Sequence, residues 1–165
     1  YNTDLRCAAG NELNTFFGIA AAGNPNGMIN RDIFNSSKII NHDNWYAAFN
    51  IQYQENEPLI KIDIQNNYNN SERQLQTSIN VKFITELAGS YKLAIYILED
   101  SIVSAQKNNN TTYGNVPVIF DYVHRNVLRS DINGTFGVEI AQGNINSNYV
   151  VEKTYSKNVS SGEFE

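Results

Sequence analysis

The residues best suited to chemistry lie close together between positions 121 and 131. His124 and Arg125 are adjacent, and Arg129 follows four residues later. One imidazole and two guanidinium groups can hold a carboxylate or a phosphate through charge-assisted hydrogen bonds. The same groups can instead fix a loop by bonding backbone carbonyls and nearby acids such as Asp121 or Asp131. We favour this structural role, and we keep His124, Arg125 and Arg129 as candidate binding residues.

The sequence does not indicate a catalytic centre. Ser130, His124 and Asp121 can be written as a serine triad, but no nucleophile-elbow motif or oxyanion-hole motif accompanies Ser130. Glu99 and Asp100 are neighbours on a predicted strand and face opposite sides of it, so they cannot act as acid and base on one bond. We predict that both are solvated acids at a strand end. We predict no catalytic residue and no enzymatic activity.

Metal and cofactor chemistry are not indicated either. A single cysteine, Cys7, excludes an internal disulfide and a four-cysteine zinc site, and no cationic partner near it in sequence would activate the thiol. The two histidines, His42 and His124, fall in different regions and make a poor zinc site. Residues 131–142 lack the acidic ligand set of a calcium loop. We predict no metal and no cofactor.

A tight turn is predicted at Asn133–Gly134, next to the basic cluster. Both residues accept the positive φ that a type I′ turn requires, and strand-forming runs at residues 127–132 and 135–141 flank them. We therefore expect Asn133 and Gly134 to join these two runs in a β-hairpin.

Composition narrows the class of protein. The chain has 165 residues, a net charge of -5, ten Tyr, eight Phe and 26 Asn. Lys and Arg are few and unclustered, so we predict no nucleic-acid partner. No apolar run reaches the ~18 residues of a membrane helix. Tyr and Phe favour strands while Asn favours turns, and we predict loops at the Asn-rich residues 66–70 and 107–110.

The hydrophobic pattern changes near residues 54–58. Before this point, residues 11–18 and 43–52 have helical spacing, and Asp43 is a good N-cap for the second helix. After Pro58 the period is two, which predicts an α/β segment over residues 1–56 and a β-sandwich, Ig-like or jelly-roll-like, over residues 57–165. A turn is expected at residues 88–90, and strands are expected at residues 59–65, 75–83, 91–98, 116–123, 127–132, 135–141 and 149–155.

The chain resembles the Bacteroidetes 28-kilodalton-type outer-membrane lipoprotein family, whose type member is described as an adhesin or receptor. The matching positions in the second part of the chain are residues 93–106, Tyr122, His124, residues 127–129, residues 133–135 and Gly137. In the first part they are residues 1–6, Gly10, Asn11, Phe16, Phe17, Pro25 and residues 27–31.

The resemblance implies an architecture and a function. Residues 1–56 would be the second half of a thioredoxin-like domain, with Pro25 at the position of that fold's cis-proline. The protein would be a non-enzymatic module of the cell envelope, facing the periplasm or displayed on the outer membrane, and it would bind an unknown protein or glycan. Its membrane contact would be an N-terminal lipid anchor that is not present in this chain.

Two further functions stay open at this point. The first is a thiol-redox protein whose active cysteines lie upstream of residue 1, because the matched part contains no Cys-x-x-Cys sequence. The second is a carbohydrate-binding module. In addition, Asp100-Ser101-Ile102 is similar to the short sequence at which Bacteroidetes attach O-glycans to exported proteins, so Ser101 is a candidate O-glycan site.

Overall fold

The computed structural model describes residues 4–55 and 57–159, and this part of the chain is mainly β. The prediction of a mainly β fold that follows an α/β segment is therefore confirmed. The two helices are α1 (Ala8–Phe17) and α2 (Trp45–Glu55). The strands are β1 (Asn26–Gly27), β2 (Ile40–Asn41), β3 (Ile60–Asn69), β4 (Gln74–Phe83), β5 (Leu87–Leu93), β6 (Tyr96–Glu99), β7 (Ile102–Lys107), β8 (Val118–His124), β9 (Val127–Asp131), β10 (Val138–Ile145) and β11 (Val150–Asn158).

Helix α1 is capped at both ends and packs against the β part of the chain. The Cys7 sulfur accepts a hydrogen bond from the Gly10 amide at 3.3 Å, and Gly18 ends the helix with φ 69°. A left-handed glycine at this position is a common helix stop. The helix lies on β9, and Phe16 contacts Phe136 with ring centroids 5.0 Å apart. Residues on either side of the predicted boundary therefore touch, while the boundary itself stays a prediction.

The start of α2 differs from the prediction, because Asp43 is not its N-cap. Residues 42–44 form a 3-10 turn, and the Asn41 side chain caps this turn by accepting from the Asp43 amide at 3.1 Å. The α-helix then begins at Trp45, whose indole N–H donates to the Ile40 carbonyl at 3.0 Å. The short β1–β2 pair just before the turn places the polar cap at Asn41. The likeness of this segment to a thioredoxin domain stays a prediction.

The core lies between two β layers. One layer is the antiparallel sheet β11-β4-β3, and the other contains the antiparallel pair β5–β10. Phe83 of β4 is fully buried at their centre. Packing of two apolar sheet faces is the usual way to stabilise a β-sandwich. The buried core residues are Ile79, Val81, Phe83, Leu93, Ile95, Ile145 and Val151.

Strand β3 runs four residues further than predicted, because the Asn-rich residues 66–69 are paired rather than in a loop. They lie opposite residues 77–74 of β4. Asn66 also accepts a hydrogen bond at 2.9 Å from the hydroxyl of Thr77, which is buried. Ladder and side-chain bonds satisfy the amide groups, so the weak strand propensity of Asn does not decide the local structure. The second Asn-rich tract, residues 108–110, is a loop as predicted.

The predicted strand at residues 91–98 is wrong, because two strands with different partners replace it. Strand β5 pairs with β10, and β6 pairs with β9. The turn expected at residues 88–90 is likewise wrong, since these residues lie inside β5 and Gly89 takes φ 138° there. The chain leaves one layer and joins the next at Ala94–Ile95.

The hairpin predicted at Asn133–Gly134 is also wrong, because β9 and β10 do not pair with each other. Gly134 has a positive φ of 93°, but Asn133 does not, so a type I′ turn is excluded. The side-chain Nδ2 group of Asn133 instead donates to the Leu93 carbonyl at 2.7 Å. Its side-chain Oδ1 atom accepts from the backbone N–H of Ile95 at 2.9 Å. Asn133 therefore ties the connection between β9 and β10 to the break between β5 and β6.

Gly137 completes this connection by lying directly on Leu93. Its φ is 70°, and a Cβ atom at this position would come within 2.3 Å of the Leu93 carbonyl oxygen. Gly143 has a similar φ of 82°, but a Cβ there would meet nothing within 4 Å. A substitution at Gly143 would therefore cause backbone strain alone, whereas a substitution at Gly137 would cause backbone strain and steric overlap.

We expect Gly137→Ala to destabilise the protein more than Gly143→Ala. Both changes place a side chain in the left-handed region, at a cost of about 1–2 kcal/mol each. Gly137→Ala also forces the two chain segments apart, which adds roughly 1–3 kcal/mol, as overpacking does. Urea denaturation of the two variants measures the difference. Equal midpoints would contradict the close approach of Gly137 to Leu93.

Candidate functional site

The candidate binding residues lie on a long two-stranded ribbon. Strand β6 pairs with β9, and the same two chain segments continue as β7 paired with β8. Glu99 lies opposite Val127, and Ile102 lies opposite His124. Each segment therefore has two unpaired residues between its strands, residues 100–101 and 125–126, and the pairing resumes in the same register. Ser101 and Asn126 lie in this gap with φ values of 63° and 51°. The ladder is thus interrupted at the same level on both strands.

Arg125 bridges the interruption of the ribbon. Its Nη1 atom lies 3.2 Å from Asp100 Oδ2 and donates to Ser101 Oγ at 2.9 Å. The Ser101 amide, and then the Arg125 guanidinium, lower the pKa of Asp100 from its ordinary value. Asp100 therefore stays ionised when the pH falls below the usual range of a carboxyl. Ser101, the candidate O-glycan site, lies in this exposed turn.

Arg129 has a different role from Arg125, because its partner is Glu99. The Arg129 Nε and Glu99 Oε2 atoms are 3.3 Å apart, and each side chain is only 13% exposed. The prediction that Glu99 is a solvated acid is therefore wrong, and Arg129 pairs with neither of the acids expected from the sequence. The β6–β9 register places Glu99 and Arg129 diagonally across the ribbon, where long side chains can meet.

His124 ends β8 and is half-buried. Its ring contacts the Tyr122 ring edge-to-face, with centroids 4.9 Å apart. Within the described residues its Nε2 atom is buried and has no hydrogen-bond partner. The triad written from the sequence is not supported, because the Ser130 hydroxyl donates to the Asp131 carbonyl at 3.0 Å.

A cavity of about 960 Å³ brings this ribbon together with the N-terminal segment. Asn24 and Pro25 lie at its edge, and the peptide bond between them is cis. The aromatic residues of its wall are Trp45, Tyr113 and Tyr122. The basic and imidazole residues of its wall are Lys107, Arg125, His42 and His124.

The structure divides the predicted binding residues into two groups. His124 and Arg125 line the cavity, whereas Arg129 does not. His42 was assigned to a separate region from the sequence, but it shares the cavity with His124.

Several wall residues were not predicted from the sequence, among them Trp45, Tyr113 and Lys107. The only sequence signal for the last two is the basic and aromatic flanks of the Asn-rich run at residues 107–113.

The Asn108 side chain cross-links the loop that carries Tyr113. The side-chain Nδ2 group of Asn108 donates to the backbone carbonyls of Asn110, Gly114 and Asn115 at 2.9–3.3 Å. Its side-chain oxygen accepts from the backbone N–H of Asn110. Tyr113 is 76% exposed at the end of this cross-linked loop. An aromatic ring is therefore presented to solvent by an ordered segment, which lowers the entropy cost of binding.

The described residues, 4–55 and 57–159, contain neither a metal-binding cluster nor a membrane-spanning helix. No group of three or more His, Cys, Asp or Glu side chains in these residues could hold a metal ion. Among the same residues, no helix has the length and apolar character needed to cross a membrane.

Comparison with known proteins gives one match. The model of a family described as outer membrane protein Omp28 matches residues 12–163. No curated protein and no solved structure matches the chain.

We expect the two arginines to differ in their contribution to stability. Arg129→Met leaves the Glu99 carboxylate in a site with little solvent, so we expect a loss of about 2–3 kcal/mol. Arg125→Met breaks an exposed pair, and its urea midpoint should stay near that of the parent protein.

The double variant Glu99→Met, Arg129→Met tests the cause of the loss. It should unfold at a higher urea concentration than Arg129→Met alone, because it removes the poorly solvated Glu99 carboxylate together with its ion-pair partner. Equal losses of unfolding free energy for Arg125→Met and Arg129→Met would contradict the different contributions of the two arginines to stability.

Proposed function

Because this chain belongs to the Omp28 family of outer membrane proteins, we propose that it is a binding module of an outer-membrane lipoprotein and has no enzymatic activity. The family places the protein in the cell envelope. In this proposal a lipid at the N-terminus of the mature protein, upstream of residue 1, anchors it to the membrane. The module acts as an adhesin or receptor of a Bacteroidetes envelope and binds a protein or a glycan, with no nucleic-acid partner.

The cavity between the N-terminal segment and the ribbon is the observation that carries this proposal. Ligand sites are concave, measure roughly 300–1,000 Å³ and combine apolar surface with a few fixed polar groups. At about 960 Å³ this cavity falls within that range. Aromatic rings and nitrogen donors line one wall together, as a recognition site requires.

The polar groups of the cavity favour binding over catalysis. Arg125 is fixed by Asp100 and Ser101, and the Trp45 N–H is used by the Ile40 carbonyl. Arginine remains charged throughout the physiological range and cannot exchange a proton there. Among the residues that the structure describes, no serine, threonine or cysteine lines this wall beside a histidine. The arrangement thus supports recognition without a bond-breaking step.

Tyr113 and Arg125 are the residues through which the proposal can be tested. Tyr113 is exposed, and Arg125 makes only surface contacts, so both can be changed with little effect on the core. Lys92 provides a matched control, since it is an exposed basic residue of β5 that does not line the cavity.

We expect the double variant Tyr113→Ala, Arg125→Gln to abolish ligand retention. The full-length lipoprotein is displayed on cells, and the cells are applied to arrays of glycans and extracellular proteins. Retention on the ligand that binds the parent should fall at least tenfold for the double variant and stay unchanged for Lys92→Gln. Ligand recovered from the cells should be chemically unaltered. Retention that survives the double variant, or a ligand that is cleaved, would contradict the proposal.

A further inference from the structure

The charges around the cavity differ from those of the whole chain. The protein has 17 acidic and 12 basic residues, which give a net charge of -5. The cavity wall nevertheless contains Lys107, Arg125 and both histidines of the chain. No Asp or Glu lines it among the residues that the structure describes. A local excess of nitrogen donors in an acidic protein indicates a site for an anion.

Two acids contact side chains of the cavity wall, His42 and Arg125, without lining the cavity themselves. Asp43 lies 3.1 Å from His42 Nε2, and Asp100 lies 3.2 Å from Arg125 Nη1. Both contacts of Arg125 use Nη1, so its Nε and Nη2 groups remain available as donors. A guanidinium can present such a pair of donors to a carboxylate in a bidentate geometry. The two acids therefore position the cations and leave their cavity side for a ligand.

The uncharged part of the wall is rich in amides and aromatic rings. Asn24, Gln106 and Asn109 supply amide groups, which both donate and accept hydrogen bonds. Aliphatic surface is limited to Pro25 and Ile119 among the described residues of the wall. This combination suits a ligand that carries many hydroxyl groups and flat apolar ring faces, and it is unsuited to a lipid chain.

From these observations we infer that the ligand is a saccharide with carboxylate groups, bound with its rings against Tyr113 and Tyr122 and its carboxylates against Arg125 and Lys107. This inference rests on the proposed function. A volume of about 960 Å³ is at the upper end of ligand sites, so the ligand is a short oligosaccharide. An acidic peptide would also meet Arg125 and Lys107, but its flexible acidic side chains lose more conformational entropy on binding than a sugar ring does, and they offer no flat ring face to Tyr113 and Tyr122.

Calorimetric titration of the full-length protein tests the inference. The probes are the tetramers of galacturonate and of hyaluronan, the methyl ester of each, and hexaglutamate. At least one of the two acidic sugars should bind, and its methyl ester should bind at least tenfold more weakly. Hexaglutamate should bind at least tenfold more weakly than the acidic sugar.

Matched variants separate the charge from the ring contacts. Lys107→Gln combined with Arg125→Gln should weaken binding of the acidic sugar at least tenfold and leave binding of its ester unchanged. Tyr113→Ala should weaken both by the same factor, and Lys92→Gln should change neither. Thermal melts of each variant verify that it is folded.

Three results would overturn the inference. The methyl ester could bind as tightly as the acid, which would make the site one for neutral sugars. Hexaglutamate could bind more tightly than both acidic sugars, which would make the ligand a protein. The third such result is that neither of the two acidic sugars binds. In each case the cell-retention experiment still decides the proposed function independently, because it depends on the cavity residues and not on the ligand class.

Discussion

The whole arrangement depends on the two hydrogen bonds that Asn133 makes with the backbone between β5 and β6. They satisfy the Leu93 carbonyl and the Ile95 backbone N–H, where the chain passes from the β5–β10 ladder to the β6–β9 ladder. Without this side chain the break would leave partly buried backbone groups unpaired, which is costly. Because the break is stabilised, β5 can join β10 over the core while β6 joins β9 in the ribbon. The Asn133 side chain therefore allows one continuous run of residues to contribute to both the core and the ribbon.

The ribbon uses two arginines, only four residues apart, for different purposes. Arg129 is held with Glu99 where each side chain is mostly buried, next to the strand on which α1 packs. Arg125 is held at the surface by Asp100 and Ser101, where it lines the cavity. Burial decides how strongly each ion pair is held. A pair shielded from solvent is costly to break, whereas a solvated pair contributes little to stability and is easily exchanged for a ligand.

The sequence predicted the parts of the fold that depend on local pattern. Alternating residues in β4 and β11 identified two strands of the core layer, and His124 and Arg125 were recognised as candidates for binding. The break between β5 and β6 was not predictable, because Lys92 is the one polar residue in the run at residues 91–98 and the Asn133 side chain that binds at the break is distant in sequence. Arg129 was misassigned for the same reason, since its partner Glu99 lies thirty residues earlier. Trp45 joins the cavity only through tertiary contacts, so no local signal marks it.

The in-phase interruption of the ribbon has an evolutionary consequence. Since Ser101 and Asn126 stop the ladder at the same level, residues 102–124 form a unit that adds no strand to the core sheets. Length changes in the loop at residues 108–117 do not alter the register of β6 with β9. The outer half of the ribbon can therefore diverge rapidly, as surface segments on a rigid scaffold do. New ligand preferences can arise in this half while the framework that folds the protein stays the same.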